Sequence, residues 1–462
     1  MKQPLPWREP ADVAVALARR WGAAGLIWLD GDGSNLGRFS RIGARPLQVL
    51  CCHGLPGEPG AWDPFEALEQ IEQGGQWLGW LSYEAGAWVE PAPHWRRPAM
   101  AQLWAARHPA LLVFDHHSRR CWLELETAPP AAGRAGPEGQ PSEAALEQAE
   151  ALQQAWQPLP TTAAPLPPAP PLDPAQWHWH SDPAAFAAGV EQIRRWIAAG
   201  DLFQANLTAC CEQPWPPNAG SGSEVGDPLA LVALYLKLRQ HCPAPFGALA
   251  IGSGPAAGEA LLSASPERFL QVDGAGLVET RPIKGTRPRH SDPERDADAA
   301  AELVSSPKDR AENVMIVDLL RHDLGRVCEL GSITVPQLVG LESYRQVHHL
   351  TSVVQGQRRN DVGLAELLRA CWPGGSISGA PKIRACQRLS QLEPLPRGAY
   401  CGSLFWLGAD GRFDSSILIR TLLLANGVLR AHAGGGIVAD SDPAAEAEEM
   451  GWKIQPLLEA LA

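Results

Sequence analysis

The sequence is short of several things, and each shortage closes off a class of protein. No stretch approaches the roughly 18 consecutive apolar residues of a membrane-spanning helix. The opening "MKQPLPWREP" has no apolar segment like that of a secretory signal, so a soluble, cytoplasmic protein is expected. Positive charge is also in deficit: 39 Lys and Arg against 51 Asp and Glu leave a formal charge of −12. That balance argues against a nucleic-acid or anionic-membrane partner, while a local basic site for a small anion stays compatible with it. Nothing repeats at the periods of about 20 to 50 residues that mark solenoids and propellers. The ten cysteines are scattered, include the adjacent pairs Cys51/Cys52 and Cys210/Cys211, and never form matched CxxC pairs. They read as reduced, mostly buried thiols.

What is present is size and a change of texture along the chain. At 462 residues the chain can hold two or three average domains, or one large enzyme domain with elaborations. Residues 1–127 mix short β-like runs such as "GLIWLDGD" and "ALLVFDHHSRRCWLELET" with turn residues, which suggests antiparallel hairpins in an α+β unit. Residues 128–180 are rich in Pro and Ala and read as a linker, interrupted by one short Ser-capped helix in "SEAALEQAEALQQAW". From 181 to 462 the sequence is dense in motifs, starting with an amphipathic helix capped by Ser181 or Asp182. The 18 tryptophans are read mainly as large core residues whose indole N–H needs a partner.

Several clusters here have chemical potential. In "ETRPIKGTRPRH" a single lysine, Lys284, stands between Pro282, which fixes its own φ, and Gly285, which permits backbone conformations closed to other residues. "SPERFL" supplies Glu267 behind a proline. Asp309 and Glu312 lie three apart at the start of a helix whose apolar positions Val314, Ile316, Val317 and Leu320 face elsewhere. Glu446, Glu449 and Lys453, spaced i, i+3 and i+7, share one helix face. Each set alone suits a solvated stripe; two carboxylate pairs meeting across a cavity would suit a hard cation such as Mg²⁺. "AHAGGGIVADSD" allows a backbone close to an anion. "FDSSILIRTLLL" reads as one buried strand carrying Arg420, whose fork matches a carboxylate. Ser376 and Ser378 lie in a glycine-rich turn, and His348 and His349 alternate on a strand, one facing in and one out.

Taken in order, "SPERFL", "TRPIKGTRPR", "AENVMIVDLLRHDLGRV", "VHHLTSVVQG", "GGSISGAPK", "YCGSLFW", "FDSSILIRTL" and "GGGIVADSDPAAEAEEMGWK" resemble the chorismate-utilising enzymes. That family contains the anthranilate, aminodeoxychorismate, isochorismate and salicylate synthases. The resemblance runs from about residue 183 to 458, and "LGRFSRIGARP" with "GWLSYEAG" resembles the amino-terminal region of the first two subgroups. It implies a large α+β fold of two packed antiparallel sheets with helices outside. "PIKGT", where anthranilate synthases resemble "PIAGT", and Gln204 in place of a water-activating lysine are similar to the aminodeoxychorismate branch. The chain departs from the family pattern at His322, usually asparagine, and at Ser378, commonly threonine.

The resemblance implies a Mg²⁺-dependent transferase that converts chorismate and ammonia to 4-amino-4-deoxychorismate, on the route to p-aminobenzoate and folate. Glu312 and Glu449 would ligate Mg²⁺, supported by Asp309 and Glu446. Arg420, Tyr400 and the amides of Gly434 and Gly436 would hold the enolpyruvyl carboxylate, with His349, Ser376 and Lys453 lining the ring and metal side. Glu267 would be general acid and Lys284 a covalent nucleophile. No stretch resembles a glutamine-hydrolysing module, so a separate glutamine amidotransferase subunit is expected to supply ammonia. Tryptophan, held in the N-terminal region of many relatives, is a candidate ligand. The alternatives are anthranilate synthase component I and a catalytically silent regulatory subunit that binds tryptophan or chorismate.

Overall fold

Alternation along the strands divides the apolar residues between two cores. In the computed structural model, which describes residues 1–127, 140–156, 166, 169, 172–215, 228–344 and 347–461, Trp28, Leu249, Ile251 and Leu262 enter one core and Ile27, Ala248, Ala250 and Leu261 the other. The strands that carry them must therefore be covered on both faces.

Two large antiparallel sheets satisfy that requirement. The first runs from edge strand Lys2–Leu5 through Ile27–Asp30, Phe246–Ile251, Ala260–Ser265 and Thr421–Ala425 to Val428–Ile437 and Gln204–Pro214. The second runs from Ile283–Pro288 and Val347–Gln357 through Arg268–Val272, Phe413–Ile417 and Ser403–Leu407 to Trp77–Leu81, Leu103–Arg107 and Gln48–Cys52. Strands from before residue 127 and after residue 181 lie side by side in both sheets: Ile27–Asp30 pairs with Phe246–Ile251, and Trp77–Leu81 with Ser403–Leu407.

The expected two-sheet α+β architecture with helices outside is what the chain adopts. Helix Pro183–Ala198 is capped by Asp182, whose carboxylate accepts the Ala185 amide at 2.8 Å. The Pro/Ala-rich stretch 128–180 falls partly outside the described residues, but its helix is present as Glu143–Trp156, with Ser142 Oγ accepting the Ala145 amide at 3.2 Å. In helix Pro307–Gly325, Ile316, Val317 and Leu320 are buried as expected, whereas Val314 is exposed. Val314 lies at a helical position that turns away from the sheet packed beneath its neighbours. His348 and His349 are both buried. They do alternate, but helix Pro293–Ser305 covers the outer face, and its Asp296 carboxylate lies 3.1 Å from His348 Nε2. All ten cysteines are free.

The longest strand pair of the first sheet joins Gln204–Pro214 to Val428–Ile437 in an unbroken antiparallel register from Ala205 opposite Ile437 to Pro214 opposite Val428. A β-carbon on Gly434 would overlap the Leu207 carbonyl oxygen across that pair. Gly451, in helix Pro443–Glu459, has open space where its β-carbon would be. Gly434→Ala is therefore expected to cost about 1–3 kcal/mol through overpacking. Gly451→Ala is expected to stabilise by up to about 1 kcal/mol through helix propensity. Thermal melts of the two variants check the opposite signs.

Candidate active site

Two chain crossings form the floor of the site. After Ala260–Ser265 the chain steps through Pro266 and Glu267 into Arg268–Val272 of the second sheet. It returns from Phe413–Ile417 through Leu418, Ile419 and Arg420 into Thr421–Ala425 of the first. The single strand expected for "FDSSILIRTLLL" is thus broken, because the chain changes sheets there. Arg420 takes a φ of 51°, a conformation uncommon outside glycine. The crossings lie side by side: the Ala264 amide donates to the Arg420 carbonyl and the Ile417 amide to the Glu267 carbonyl, each at 3.0 Å. Ser265 Oγ also donates to the Ile417 carbonyl at 2.5 Å.

Glu267 is 5% exposed. Burial pushes its carboxyl up to about 7, against the opposing pull of the Ser376 hydroxyl, the Lys284 charge and the Ile283 amide. Arg420, at the other crossing, has no carboxylate partner among the described residues, and burial pulls its guanidinium below the ordinary value. A desolvated, unpaired guanidinium is costly in itself and favours an anionic ligand.

Lys284 lies on strand Ile283–Pro288, whose register against Val347–Gln357 slips at Gly285: Lys284 faces Leu350, yet Thr286 faces His349. Gly285 is the bulged residue, with φ 79° and no room for a β-carbon against Leu303 and Asp309. The Lys284 ammonium donates to the Ser376 carbonyl at 3.5 Å. Ser376, in the short turn Gly375–Ile377, thereby touches both Lys284 and Glu267. Ser378 instead donates to the Gly374 carbonyl at 2.8 Å and is buried in the turn.

The glycine run closes the opposite side. Strand Thr421–Ala425 pairs with Val428–Ile437 only as far as Ala431, so the segment with Gly434 and Gly436 keeps one edge unpaired by that neighbour. A β-carbon on Gly436 would overlap the Gln204 amide and lie 3.1 Å from Lys284 Nζ. Gln204 is buried, and its Oε1 has no hydrogen-bond partner. His349 bonds Thr286 Oγ1 through Nδ1 at 2.9 Å. Burial, with the nearby Arg420 charge, pushes its imidazole down to about 3, so it is neutral.

The acidic residues come from two facing helices. Glu312 and Asp309 lie on Pro307–Gly325, Glu446 and Glu449 on Pro443–Glu459. Asp309 is 3.5 Å from Arg287, Glu446 is 2.9 Å from Lys308, and Glu449 is 2.8 Å from Lys453. Lys453 also donates to the Gly434 carbonyl at 3.0 Å. Burial raises the Glu312 carboxyl even though Lys284 and Lys308 favour its charged form. Burial works most strongly to raise Glu449, but the Lys453 ammonium, with the charges of Lys308 and Lys284, together outweighs it and holds that carboxyl low. The donors are all oxygen and anionic, a set suited to a hard divalent cation.

Tyr400 is tied to the glycine strand through His432, two residues before Gly434. It stacks on His432, with ring centroids 4.8 Å apart, and the charges acting on its hydroxyl include Arg397 and Glu393. Sequence reasoning passed over Lys308, Thr286 and Arg287, each directly beside a residue it had chosen. The signal was adjacency: a cation just before Asp309, and a hydroxyl and a cation within one strand of Lys284.

With this geometry in hand, comparison gives a consistent picture. Residues 54–459 match the family model described as chorismate binding enzyme. The chain is 37% identical over 390 residues to aminodeoxychorismate synthase of Streptomyces griseus, covering 83% of this chain and 50% of that protein. It is 42% identical over 288 residues to aminodeoxychorismate synthase component 1 of Escherichia coli strain K12, covering 62% and 60%. It is 36% identical over 451 residues to anthranilate synthase component 1 of Streptomyces coelicolor, covering 92% and 81%. The chain thus spans half to three fifths of the length of those two aminodeoxychorismate synthases. Among solved structures, anthranilate synthase component I from Streptococcus pneumoniae superposes with a TM-score of 0.72 at 28% identity, covering 91% of this chain and 92% of that one. The menaquinone-specific isochorismate synthase from Escherichia coli shares the fold, with a TM-score of 0.72 at 17% identity over 100% and 94%.

Glu267 also makes a thermodynamic prediction. Between its ordinary value of 4.5 and about 7 the folded chain keeps a proton that the unfolded chain has lost. This group's contribution to stability therefore falls as pH rises through that window and is constant above it. The stability of Glu267→Gln relative to the unaltered chain should climb from pH 4.5 to 7 by on the order of 3 kcal/mol and then level off. Denaturant unfolding at a series of pH values measures the difference.

Proposed function

The chain belongs to the chorismate-binding enzymes, and on that premise we propose that it aminates chorismate at C4 to give 4-amino-4-deoxychorismate. The observation that carries the reading is Ser376 holding both Lys284 and the protonatable Glu267 at one point between the sheets. Residues 181–462 act as the chorismate-binding region, 1–127 as the amino-terminal region that completes both sheets, and 128–180 as the linker.

Arg420 and the open edge of the Gly434–Gly436 run hold the enolpyruvyl carboxylate, with Tyr400 closing that end beside His432. His349, neutral and fixed by Thr286, lines the ring with Ser376 and Lys453. Glu267 gives its proton to the C4 hydroxyl as the C4–O bond breaks, so that water leaves. The Lys284 amine bonds to C2 in the same displacement, and the two ring double bonds each move one position. Ammonia then bonds to C4, the double bonds return, and the C2–N bond to Lys284 breaks. Mg²⁺ fits the oxygen donors Glu312 and Glu449, supported by Glu446 and Asp309, and would supply charge neutralisation for the ring carboxylate.

Ammonia comes from a separate glutamine amidotransferase subunit, a reading supported by the "component 1" names of several relatives. A cytoplasmic setting agrees with the finding that no helix among the described residues is long and apolar enough to cross a membrane. Tryptophan is kept as a proposed ligand of the amino-terminal region.

The second reading, anthranilate formation, is favoured by the length of the match to the Streptomyces coelicolor protein. Lys284 weighs against it, because anthranilate carries its amino group at C2, so ammonia would have to bond at the carbon the Lys284 amine is aimed at. Incubation with chorismate, Mg²⁺ and ammonium is expected to yield a non-aromatic amino product that an aminodeoxychorismate lyase converts to p-aminobenzoate. Fluorescent anthranilate as the product would refute the assignment. Glu267→Gln should lower turnover about 10²–10⁴-fold. Lys284→Ala should abolish both turnover and the mass-spectrometric adduct at that residue; full activity with ammonium would remove the nucleophile role. Glutamine should support turnover only after the amidotransferase is added.

A further inference from the structure

Outside the residues assigned so far, the cation most closely engaged with the acidic face is Lys308. It lies in the first turn of Pro307–Gly325, next to Asp309 and one turn before Glu312. Its ammonium meets Glu446 Oε1 on the opposite helix at 2.9 Å, and the same oxygen accepts the Ser441 hydroxyl at 2.7 Å. Glu312 and Glu449 also lie within its electrostatic reach. Carboxylates from two helices therefore share one point charge. Lys453 occupies Glu449 and Arg287 occupies Asp309 in the same way. Among the described residues no three His, Cys, Asp or Glu side chains stand together as a ready ligand cluster. The chain's own cations pair with three of these carboxylates, and Glu312 lies in the fields of Lys284 and Lys308.

We propose that Lys308 competes with the divalent cation for the acidic face, so that the metal ion gains Glu446 and its neighbours only by displacing the lysine ammonium. This rests on the reading of Glu312 and Glu449 as metal ligands. Lysine suits the task because its charge is compact and its stem flexible, and half-exposed Lys308 can swing into solvent without disturbing the core. Arginine in its place would grip the carboxylate with a fixed fork and release it less readily. Lys308 also offsets repulsion among the carboxylates, which keeps the two helices facing each other. Metal affinity is then a difference between two cations rather than a property of the carboxylates alone.

Isothermal titration of the full chain with MgCl₂, comparing the unaltered protein with Lys308→Met and Lys308→Arg, tests the competition. Lys308→Met should bind Mg²⁺ about fivefold tighter or more, while Lys308→Arg binds no tighter than the unaltered chain. A second measurement needs no variant and decides the matter if Lys308→Met does not fold. Limited acetylation by acetic anhydride, read by peptide mass spectrometry, should modify Lys308 faster once Mg²⁺ is saturating. Equal or weaker binding by Lys308→Met, or labelling indifferent to Mg²⁺, would overturn the proposal. Equal binding by both proteins removes the competition and leaves the ligand reading standing. Failure of both to bind Mg²⁺ removes the ligand reading and the competition with it.

Discussion

The site depends on the register between strands Gln204–Pro214 and Val428–Ile437. That one pairing fixes where Gln204 meets Gly436, where the glycine run keeps an open edge, and where Lys453 reaches the Gly434 carbonyl. A shift of one residue would exchange the faces of the whole ribbon. Ala205, Leu207 and Ala209 would leave the helix-covered core for the interior side, and Gln204, Asn206 and Thr208 would be driven into apolar packing. Helix Pro443–Glu459 packs directly on the glycine strand, so its carboxylates inherit their position from the same register.

Charge is distributed around that frame with little left over. Three of the four acidic side chains have a cation of their own, while Glu312 shares the more distant fields of Lys284 and Lys308. Arg420 is the reverse case, a cation at a chain crossing with no carboxylate partner among the described residues. The candidate site thus carries charge of both signs. Under the proposed function, an anion with two carboxylates would set one at Arg420 and the other toward the acidic helices, where a divalent cation would have to reverse the local sign. The net charge of −12 and a site for an anionic substrate are therefore compatible.

Much of this was legible in the order of residues, and the failures have physical reasons. The amphipathic helices announced themselves through caps and spacing, and Asp182 and Ser142 cap as expected. Glu267, Lys284 and Ser376 could be chosen from motifs, but their meeting depends on a bulge at Gly285 and on sheet crossings that no local pattern encodes. The crossing at Arg420 was misread because a run of apolar residues looks the same whether it stays in one sheet or passes between two. His348 was misjudged because burial of an outer strand face depends on a helix placed by tertiary packing. Lys308 escaped notice because a lysine beside an acidic pair reads as surface charge until the second helix is brought opposite.

The interleaving of early and late strands has a consequence for how the chain is made. Leu78 has Ala106 on one side early, but its other neighbour is Trp406, and Trp28 pairs with Ile42 long before Leu249 arrives on its other side. On the ribosome these tryptophan-bearing strands emerge long before the segments that will cover them. Such non-local pairing is slow, and apolar strands without neighbours invite association with other chains. The open edges of these strands stay unpaired until the later segments arrive, and the floor of the candidate site closes only after the crossing at Arg420 has been made.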